Sequence, residues 1–473
     1  MSSSQRARER RSGGHVLTRR EMLAGSLAGT LGLGLAARRA RSQSRPALPN
    51  IVFVLADDLG YADLSCYGRH FATPRIDSLA RHGALFTQAY ASSAVCSATR
   101  VALITGREPG RLRVGLDEPL NLDHEESVGL PPQIPTLPSL LRKRGYRTSL
   151  FGKWHLGKPP KFGPLKSGYD RFFGMYSGYS FYFGHGKDDP SPIIDQERIL
   201  TDHGYLTDLL ADKAIDELEA GARESRPVFL SLHFNAVHWP WEGPGDRAKS
   251  MAIQNPVHGD GGSLETYRTM LESLDTNVGR VLDALDALDL ASNTIVVFTS
   301  DNGGERFSDV WPLTGMKGEL LEGGIRVPVL ARWPGRIPAG LRTGQVAVTT
   351  DWLPTLLAAA GTAPDTNYPS DGENLLPVLG GGAAAHPRTL YWRYKANEQA
   401  AVRDARWKYL KLGGREYLFD IDADPRERAD LRQKFPDEFE RLKRQYAAWS
   451  SRMLPYPADA RSYDVKTGTA DRY

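Results

Sequence analysis

The sequence predicts an α/β fold: a large, mixed but mostly parallel sheet sandwiched by helices, and a smaller C-terminal α+β domain containing a short antiparallel sheet and a helix. Two patterns predict it. Short apolar, β-branched runs end abruptly in polar residues and alternate with amphipathic segments, which is typical of a parallel sheet covered on both faces. After residue 376 the runs become closely spaced, which favours antiparallel pairing. The 473 residues, 41% of them hydrophobic, can bury such a core.

The first 46 residues are predicted to be a signal peptide and linker. Arg19 and Arg20 precede an uncharged run over residues 22–37, which is shorter than the roughly 20 apolar residues of a membrane span. The paired arginines resemble a twin-arginine signal, which delivers folded protein to the twin-arginine export machinery. We therefore expect a periplasmic or secreted protein whose mature form is not embedded in a membrane.

The charge distribution argues against a nucleic-acid partner. The formal net charge is +4, but the first 50 residues carry ten arginines and only two acids, so the rest of the chain is net acidic. An acidic body offers no electrostatic footprint for nucleic acid. The two cysteines, Cys66 and Cys96, could form one disulfide in an oxidising compartment, but they cannot make a disulfide framework.

The main domain is predicted to span residues 47–375. Its apolar runs predict core strands at residues 51–55, 146–151, 228–232 and 294–298. A capping threonine, Thr136, and a terminal glycine, Gly145, delimit one helix between strands. A second helix carries leucines and a valine on one face between Leu271 and Leu288. Ligands in open α/β sheets bind beyond the carboxyl ends of the strands, so the polar residues found there are site candidates.

The C-terminal subdomain is predicted to span residues 376–454. Its strands are expected at residues 389–394, 400–403, 407–412 and 416–420, followed by a helix from about Pro436 to Met453. Residues 455–473 lack periodicity and are predicted to form an extended tail.

Four oxygen-bearing side chains follow two of the predicted core strands. Asp57 and Asp58 end the first strand, and Asp301 and Asn302 end the strand at 294–298. If these strands are neighbours, three carboxylates converge with an amide, and their mutual repulsion requires a cation. An all-oxygen set suits Ca²⁺, with Mg²⁺ as the second choice, rather than zinc. The alternative is that the pairs only form turns and helix caps.

Cys96 is the candidate nucleophile. It lies in a loop of small residues that runs into a predicted helix, with Arg100 one turn later. A cysteine at a helix N terminus beside an arginine is expected to have a lowered pKa. The alternative, which composition alone favours, is a buried and inert cysteine.

These segments resemble the type I, formylglycine-dependent sulfatases of the alkaline phosphatase superfamily. The resemblance covers roughly residues 49–453 and rests on seven motifs in the family's order. The motifs are Ala56-Asp57-Asp58-Leu59-Gly60, Cys96-Ser97-Ala98-Thr99-Arg100 with Thr105-Gly106-Arg107, Gly152-Lys153-Trp154-His155-Leu156-Gly157, His238-Trp239-Pro240, Ser300-Asp301-Asn302-Gly303-Gly304, Lys317-Gly318 with Glu322-Gly323-Gly324-Ile325-Arg326-Val327-Pro328, and Tyr417-Leu418-Phe419-Asp420 with Asp424-Pro425. The resemblance implies an alkaline phosphatase-like fold for residues 47–375 and an arylsulfatase-like sulfuric ester hydrolase.

The resemblance further implies that a formylglycine-generating or other sulfatase-modifying enzyme oxidises Cys96 to Cα-formylglycine. One hydroxyl of the hydrated aldehyde would attack the sulfur of an aryl or carbohydrate sulfate, and the second would then expel sulfate. Asp57, Asp58, Asp301, Asn302 and the modified Cys96 would bind Ca²⁺. Arg100 would stabilise the hydrate, Lys153, His238 and Lys317 would hold the sulfate oxygens, and His155 would be the base that drives sulfate release. His238 or Lys317 would protonate the leaving alcohol.

Two other functions stay open at this stage. A phosphonate monoester or phosphodiester hydrolase of the same superfamily could use the same nucleophile, and a non-catalytic homologue could bind sulfated glycans. Three further charged residues, Arg107, Glu322 and Arg326, are expected beside the pocket, whereas His233 is assigned to the core. The aromatic segment 176–185 and residues 239–263 are expected to select the substrate.

Overall fold

A ten-stranded sheet forms the centre of the computed structural model, which describes residues 48–68, 71–186, 189–253 and 262–464. The predicted signal peptide and the last nine residues of the predicted tail lie outside these ranges. Strands β1 to β16 span, in order, Asn50–Ala56, Ala84–Phe86, Ala89–Tyr90, Arg147–Lys153, Arg171–Met175, Ile193–Asp195, Arg198–Leu200, Val228–His233, Thr294–Ser300, Val329–Arg332, Leu341–Thr343, Ala347–Val348, Thr389–Tyr394, Gln399–Asp404, Trp407–Leu412 and Arg415–Asp420.

The large sheet has the order β11-β2-β10-β9-β1-β8-β4-β5-β6-β7. Its centre, from β9 to β5, is parallel throughout, whereas β10 and β6 pair antiparallel with their neighbours. The four runs predicted as core strands are the four adjacent strands β9, β1, β8 and β4. This mixed, mostly parallel sheet confirms the predicted fold class.

Helices cover both faces of the sheet. Helices α1 to α7, counting those of seven residues or more, span Pro74–Arg81, Cys96–Thr105, Leu137–Lys143, Leu206–Glu224, Leu264–Ala287, Trp352–Ala359 and Pro436–Ser450. Alternate residues of β1 enter different cores: Phe53 packs with residues of α2, α3 and α6, and Val54 packs with residues of α1, α4 and α5. Among the described residues, no helix combines the length and the apolar character needed to cross a bilayer.

The C-terminal strands form the predicted antiparallel sheet, in the order β13-β14-β15-β16. Helix α7 packs on it through Leu442, which lies in one cluster with Val402 and Leu418. The helix ends at Ser450 rather than near Met453. On the sheet's other face, the Trp392 indole donates a 2.8 Å hydrogen bond to the Ala91 carbonyl, so the C-terminal sheet is joined to the segment that leads to Cys96.

A buried ion cluster also ties the C-terminal sheet to the main part. The Lys408 ammonium lies 2.9 Å from both Glu322 Oε1 and Glu427 Oε1, and all three side chains are fully buried. Although burial alone would lower it, the two carboxylates raise the pKa of Lys408. Lys408 therefore keeps its charge inside the protein, where losing this partner is costly for the buried carboxylates.

We expect Lys408→Met to lower the free energy of unfolding by about 3–5 kcal/mol, because two buried carboxylates lose their shared cation. Lys411→Met on the same strand is the matched control, since Lys411 pairs at 2.9 Å with the exposed Glu398. That change should cost less than about 1 kcal/mol. Urea unfolding of both variants tests this, and equal losses would contradict a structural role for the buried cluster.

Candidate active site

The polar residues after β1 and β9 lie side by side at the carboxyl edge of the sheet. The Asn302 amide donates to Asp58 Oδ1 at 2.7 Å, and the Asp58 backbone N–H donates to Asp301 Oδ1 at 3.3 Å. These three side chains and that of Asp57 are each 2% exposed or less. The parallel pairing of β1 with β9 causes this convergence, because Ala56 and Ser300 are register partners and the polar residues follow both.

Each of the three carboxylates is held by a cation. Lys153 Nζ lies 2.6 Å from Asp57 Oδ2, and Lys317 Nζ lies 2.7 Å from Asp58 Oδ2. The third carboxylate, Asp301, accepts two hydrogen bonds from the Arg100 guanidinium, at 2.8 and 3.0 Å. The three sequence-predicted cations therefore lie at the metal-ligand candidates. The pKa of Asp301 is nonetheless raised, because its burial and the neighbouring Asp57 outweigh the effect of Arg100.

The donor set fits a hard cation. Asp57, Cys96 and Asp301 offer ligand atoms within 4.8 Å of one another, as do Asp57, Asp58 and His238. Within the described part of the chain, Asp57 Oδ1 and Asn302 Oδ1 are buried without a hydrogen-bond partner. A buried oxygen that lacks a donor is costly unless a cation or water satisfies it. These two orphaned oxygens are therefore where a Ca²⁺ or Mg²⁺ ion would be bound.

Cys96 is the first residue of α2 and is 2% exposed. The pKa of its thiol is raised rather than lowered as predicted, because burial raises it more than the nearby Lys153 and Lys317 lower it. A helix N terminus and an arginine therefore do not activate this thiol. Both cysteines are free, so the disulfide considered from the sequence is absent from these residues.

The His155 ring is held in one tautomer. Its Nε2 lies 2.7 Å from the Leu120 carbonyl, which can only accept, so Nε2 carries the proton. Burial and the neighbouring Lys153 hold the pKa of His155 well below its usual value, so the ring is neutral. The lone pair of Nδ1 then faces Cys96 Sγ at 3.3 Å. Gly178 leaves room for the ring, since a Cβ there would lie 2.6 Å from His155 Cε1.

His238 and Lys317 lie on the Asp58 side of the site. The His238 Nδ1–H donates to the Trp239 carbonyl at 2.6 Å, which directs Nε2 towards Asp58 Oδ2, 3.6 Å away. The Trp239 ring packs against His238 and Tyr179 in tilted geometry, with ring centroids 4.4 and 4.9 Å apart. Aromatic rings from both segments expected to select the substrate thus meet beside the predicted sulfate-binding histidine.

Three charged residues expected beside the pocket contact residues other than the site candidates. Arg107 follows the far end of α2, a ten-residue helix about 15 Å long, and contacts the Tyr368 ring. Glu322 belongs to the Lys408 cluster, and Arg326 donates to the Thr87 carbonyl and contacts the Tyr61 ring. Their presence in the motifs reflects packing around the site rather than contact with it.

Several site neighbours were not found from the sequence. His233, assigned to the core, is indeed buried, but its Nδ1 lies 3.4 Å from Arg100 Nη1 and 3.2 Å from the Lys153 carbonyl. Glu305 lies 3.4 Å from Lys317 Nζ, and the Tyr463 hydroxyl donates to Glu305 at 3.2 Å. The position of His233 at the end of the predicted strand at 228–232 could have indicated that it lies near the site. No pattern in the sequence links Tyr463 to the site.

Comparisons with known proteins agree with this geometry. Residues 49–362 match the family model described as Sulfatase, and residues 317–447 match the model described as N-sulphoglucosamine sulphohydrolase, C-terminal. The chain is 33% identical over 374 residues to the N-acetylgalactosamine-6-sulfatase of Canis lupus familiaris, covering 74% of this chain and 69% of the relative. It is 35% identical over 410 residues to arylsulfatase A of Homo sapiens, covering 80% and 77%.

A solved structure extends the likeness to the whole architecture. The crystal structure of Ps i-CgsB in complex with k-i-k-neocarrahexaose matches with a TM-score of 0.79 and 31% identity, covering 87% of this chain and 94% of that chain. The likeness therefore includes both the large sheet and the C-terminal sheet.

Proposed function

The chain belongs to the sulfatase family, whose named members are sulfuric ester hydrolases, and on that premise we propose that it hydrolyses aryl or carbohydrate sulfates with a Ca²⁺ ion and a formylglycine derived from Cys96. The observation that carries the proposal is one buried group in which Cys96, three carboxylates and three cations lie together. The negative charge on the oxygens around sulfur in the transition state requires such fixed positive charge.

Cys96 and His155 are proposed to act as a nucleophile and base pair. Hydrated formylglycine at position 96 would supply one hydroxyl to attack sulfur and a second to expel sulfate. His155 Nδ1 is already directed at the position-96 side chain and carries a lone pair, so it can remove a proton there. The Leu120 carbonyl keeps this tautomer in place.

The cations are proposed to hold the substrate's sulfate group. Lys153 contacts Asp57, Lys317 and His238 lie beside Asp58, and Arg100 is bonded to Asp301. A sulfate oxygen would accept from the two ammonium groups. His238 would donate to it from Nε2 only when the ring is protonated, because its Nδ1–H donates to the Trp239 carbonyl and burial lowers the pKa of the ring. His238, in its protonated form, or Lys317 would protonate the leaving alcohol, because both lie beside Asp58 Oδ2.

The proposed ion would be held by Asp57, Asp58, Asp301, Asn302 and the residue at position 96. When bound, it would neutralise the carboxylates and withdraw charge from the sulfate oxygens. The orphaned oxygens of Asp57 and Asn302 support this assignment. Ca²⁺ is favoured over Mg²⁺ because a crowded set of carboxylates suits the larger ion's flexible coordination.

The family's chemistry also implies partners for the chain. We propose that a sulfatase-modifying enzyme converts Cys96 before the twin-arginine machinery exports the folded protein to the periplasm or the medium. The proposal of export rests on the paired arginines Arg19 and Arg20.

A substrate panel tests the proposed reaction. We expect 4-nitrophenyl sulfate and sulfated sugars to be hydrolysed, and phenyl phosphonate 4-nitrophenyl ester to be turned over more slowly. A large preference for the phosphonate would instead support the phosphonate monoester hydrolase. Binding of sulfated glycans without turnover, by protein whose Cys96 is an unmodified thiol when isolated from its native host, would support the non-catalytic homologue.

Removal of the ion should destabilise the protein measurably. We expect Ca²⁺, added to chelator-treated protein at about 100 times its dissociation constant, to add about 2.7 kcal/mol to the free energy of unfolding. Asp58→Asn should abolish most of this gain, because it removes one ligand charge, whereas the exposed Asp422→Asn should retain it. Thermal unfolding with Ca²⁺ and with Mg²⁺ measures both effects. An unchanged gain in Asp58→Asn would place the ion elsewhere.

A further inference from the structure

The C-terminal segment 456–464, here called the clamp, lies against the active site. It follows α7 and falls beyond both ranges matched by the family models, which end at residues 362 and 447. Its backbone pairs with Glu118 in an isolated parallel bridge at Ser462. The segment predicted from the sequence to be an extended tail is thus irregular but attached.

Side chains fix the clamp at Glu118. The Tyr456 hydroxyl donates to Glu118 Oε1 at 2.6 Å, and the Ser462 hydroxyl donates to Glu118 Oε2 at 3.0 Å. On the other side, the Tyr394 hydroxyl donates to the Tyr463 carbonyl at 2.8 Å. Glu118 is 3% exposed, so these bonds are shielded from water and define the path of the clamp.

The clamp reaches the site through Tyr463. Its hydroxyl donates to Glu305 Oε1 at 3.2 Å, and the other oxygen of Glu305 lies 3.4 Å from Lys317 Nζ. Lys317 Nζ in turn lies 2.7 Å from Asp58 Oδ2. Glu305 and Lys317 are 8% and 5% exposed. A continuous series of polar contacts therefore runs from the clamp to an ammonium group of the proposed sulfate site.

We infer that Tyr463 is a positioning residue: by holding the Glu305 carboxylate, it orients the Lys317 ammonium towards the sulfate group of the substrate. The inference rests on the proposed function for the role of Lys317. A lysine side chain has several rotatable bonds, and a carboxylate that is itself fixed restricts the ammonium to one place. Without the tyrosine hydroxyl, Glu305 loses a donor that fixes one of its oxygens, and the ammonium gains freedom.

Tyr463→Phe tests the inference, because it removes one hydroxyl and keeps the ring. Tyr456→Phe is the matched control, because it removes a hydroxyl that also donates to a buried carboxylate, Glu118, rather than to Glu305. The hydrogen bonds of Ser462 and of the Tyr463 carbonyl still hold the clamp in that variant. We expect Tyr463→Phe to weaken binding of inorganic sulfate, measured by calorimetry, about fivefold, the effect of one hydrogen bond. Tyr456→Phe should leave sulfate affinity unchanged while lowering the thermal midpoint as much.

Kinetics and a double-mutant cycle complete the test. With 4-nitrophenyl sulfate, Tyr463→Phe should raise KM more than it lowers kcat, because Lys317 holds the sulfate group before reaction as well. If Tyr463 acts through Glu305, its effect should largely vanish in a Glu305→Gln background. Additive effects, or equal effects of Tyr463→Phe and Tyr456→Phe on sulfate affinity, would overturn the inference.

The outcomes separate this inference from the proposed function. Wild-type protein that binds sulfate and shows the Tyr463 effect, yet hydrolyses no sulfate ester, would contradict only the proposed reaction. Active wild-type protein in which Tyr463→Phe binds sulfate normally would contradict only the role of the clamp.

Discussion

Cys96→Ser should abolish turnover of 4-nitrophenyl sulfate, with a loss of about 10⁴-fold or more, as expected for removal of a nucleophile. A serine hydroxyl can still be sulfated at this position, because Lys153, Lys317 and His238 remain in place. It has no second hydroxyl with which to expel the sulfate, so each chain should react once. Mass spectrometry should then find one sulfate on the peptide that contains residue 96.

Two controls make the Cys96→Ser result specific. Cys66→Ala should retain full activity, since Cys66 lies in a turn where its backbone N–H donates to Asp77, outside the proposed site. Cys96→Ala should be inactive and should also trap no sulfate, because it offers no oxygen. Turnover by Cys96→Ala comparable to wild type would rule out position 96 as the nucleophile.

His155→Ala should separate the two halves of the reaction. We expect steady turnover to fall about 10²- to 10⁴-fold, the contribution usual for a general base. Because His155 is proposed to drive sulfate release, the alcohol should still appear in a burst of about one equivalent per active site before turnover stops. Rapid-mixing measurements with 4-nitrophenyl sulfate would record the burst.

The exposed His82, which follows α1, provides the control for His155. His82→Ala should have normal steady turnover and no burst. If His155→Ala slows the first release of alcohol as much as the steady rate, His155 acts in the attack on sulfur and the assignment to release is wrong.

The central strands were predictable because a strand that is buried on both faces has apolar residues at consecutive positions. Residues 51–55 and 295–298 are apolar at every position, and their short length and β-branched content favour a strand over a buried helix. The short strands β6, β7 and β11 were not predicted, since each has three residues and owes its conformation to pairing with a neighbour.

The site was predictable where function depends on residue type and not where it depends on environment. The motif residues come together because parallel strands end at one edge of the sheet. The predicted lowering of the Cys96 pKa was wrong, because burial, which local sequence does not reveal, outweighs the nearby charges. Tyr463 was missed because its contact with Glu305 joins residues 158 positions apart, and such contacts leave no periodic pattern.

The pairing of β1 with β9 has a consequence for biosynthesis. Asp58 and Asp301 meet across 243 positions of sequence, so the pocket cannot close around residue 96 until the ribosome has added roughly 200 further residues. At about 5–20 residues per second this delay lasts some ten to forty seconds. In the finished protein the Cys96 side chain is enclosed. Under the proposed function, a modifying enzyme would therefore meet Cys96 on the nascent chain, and the order of strands in the sheet would set how long that encounter can last.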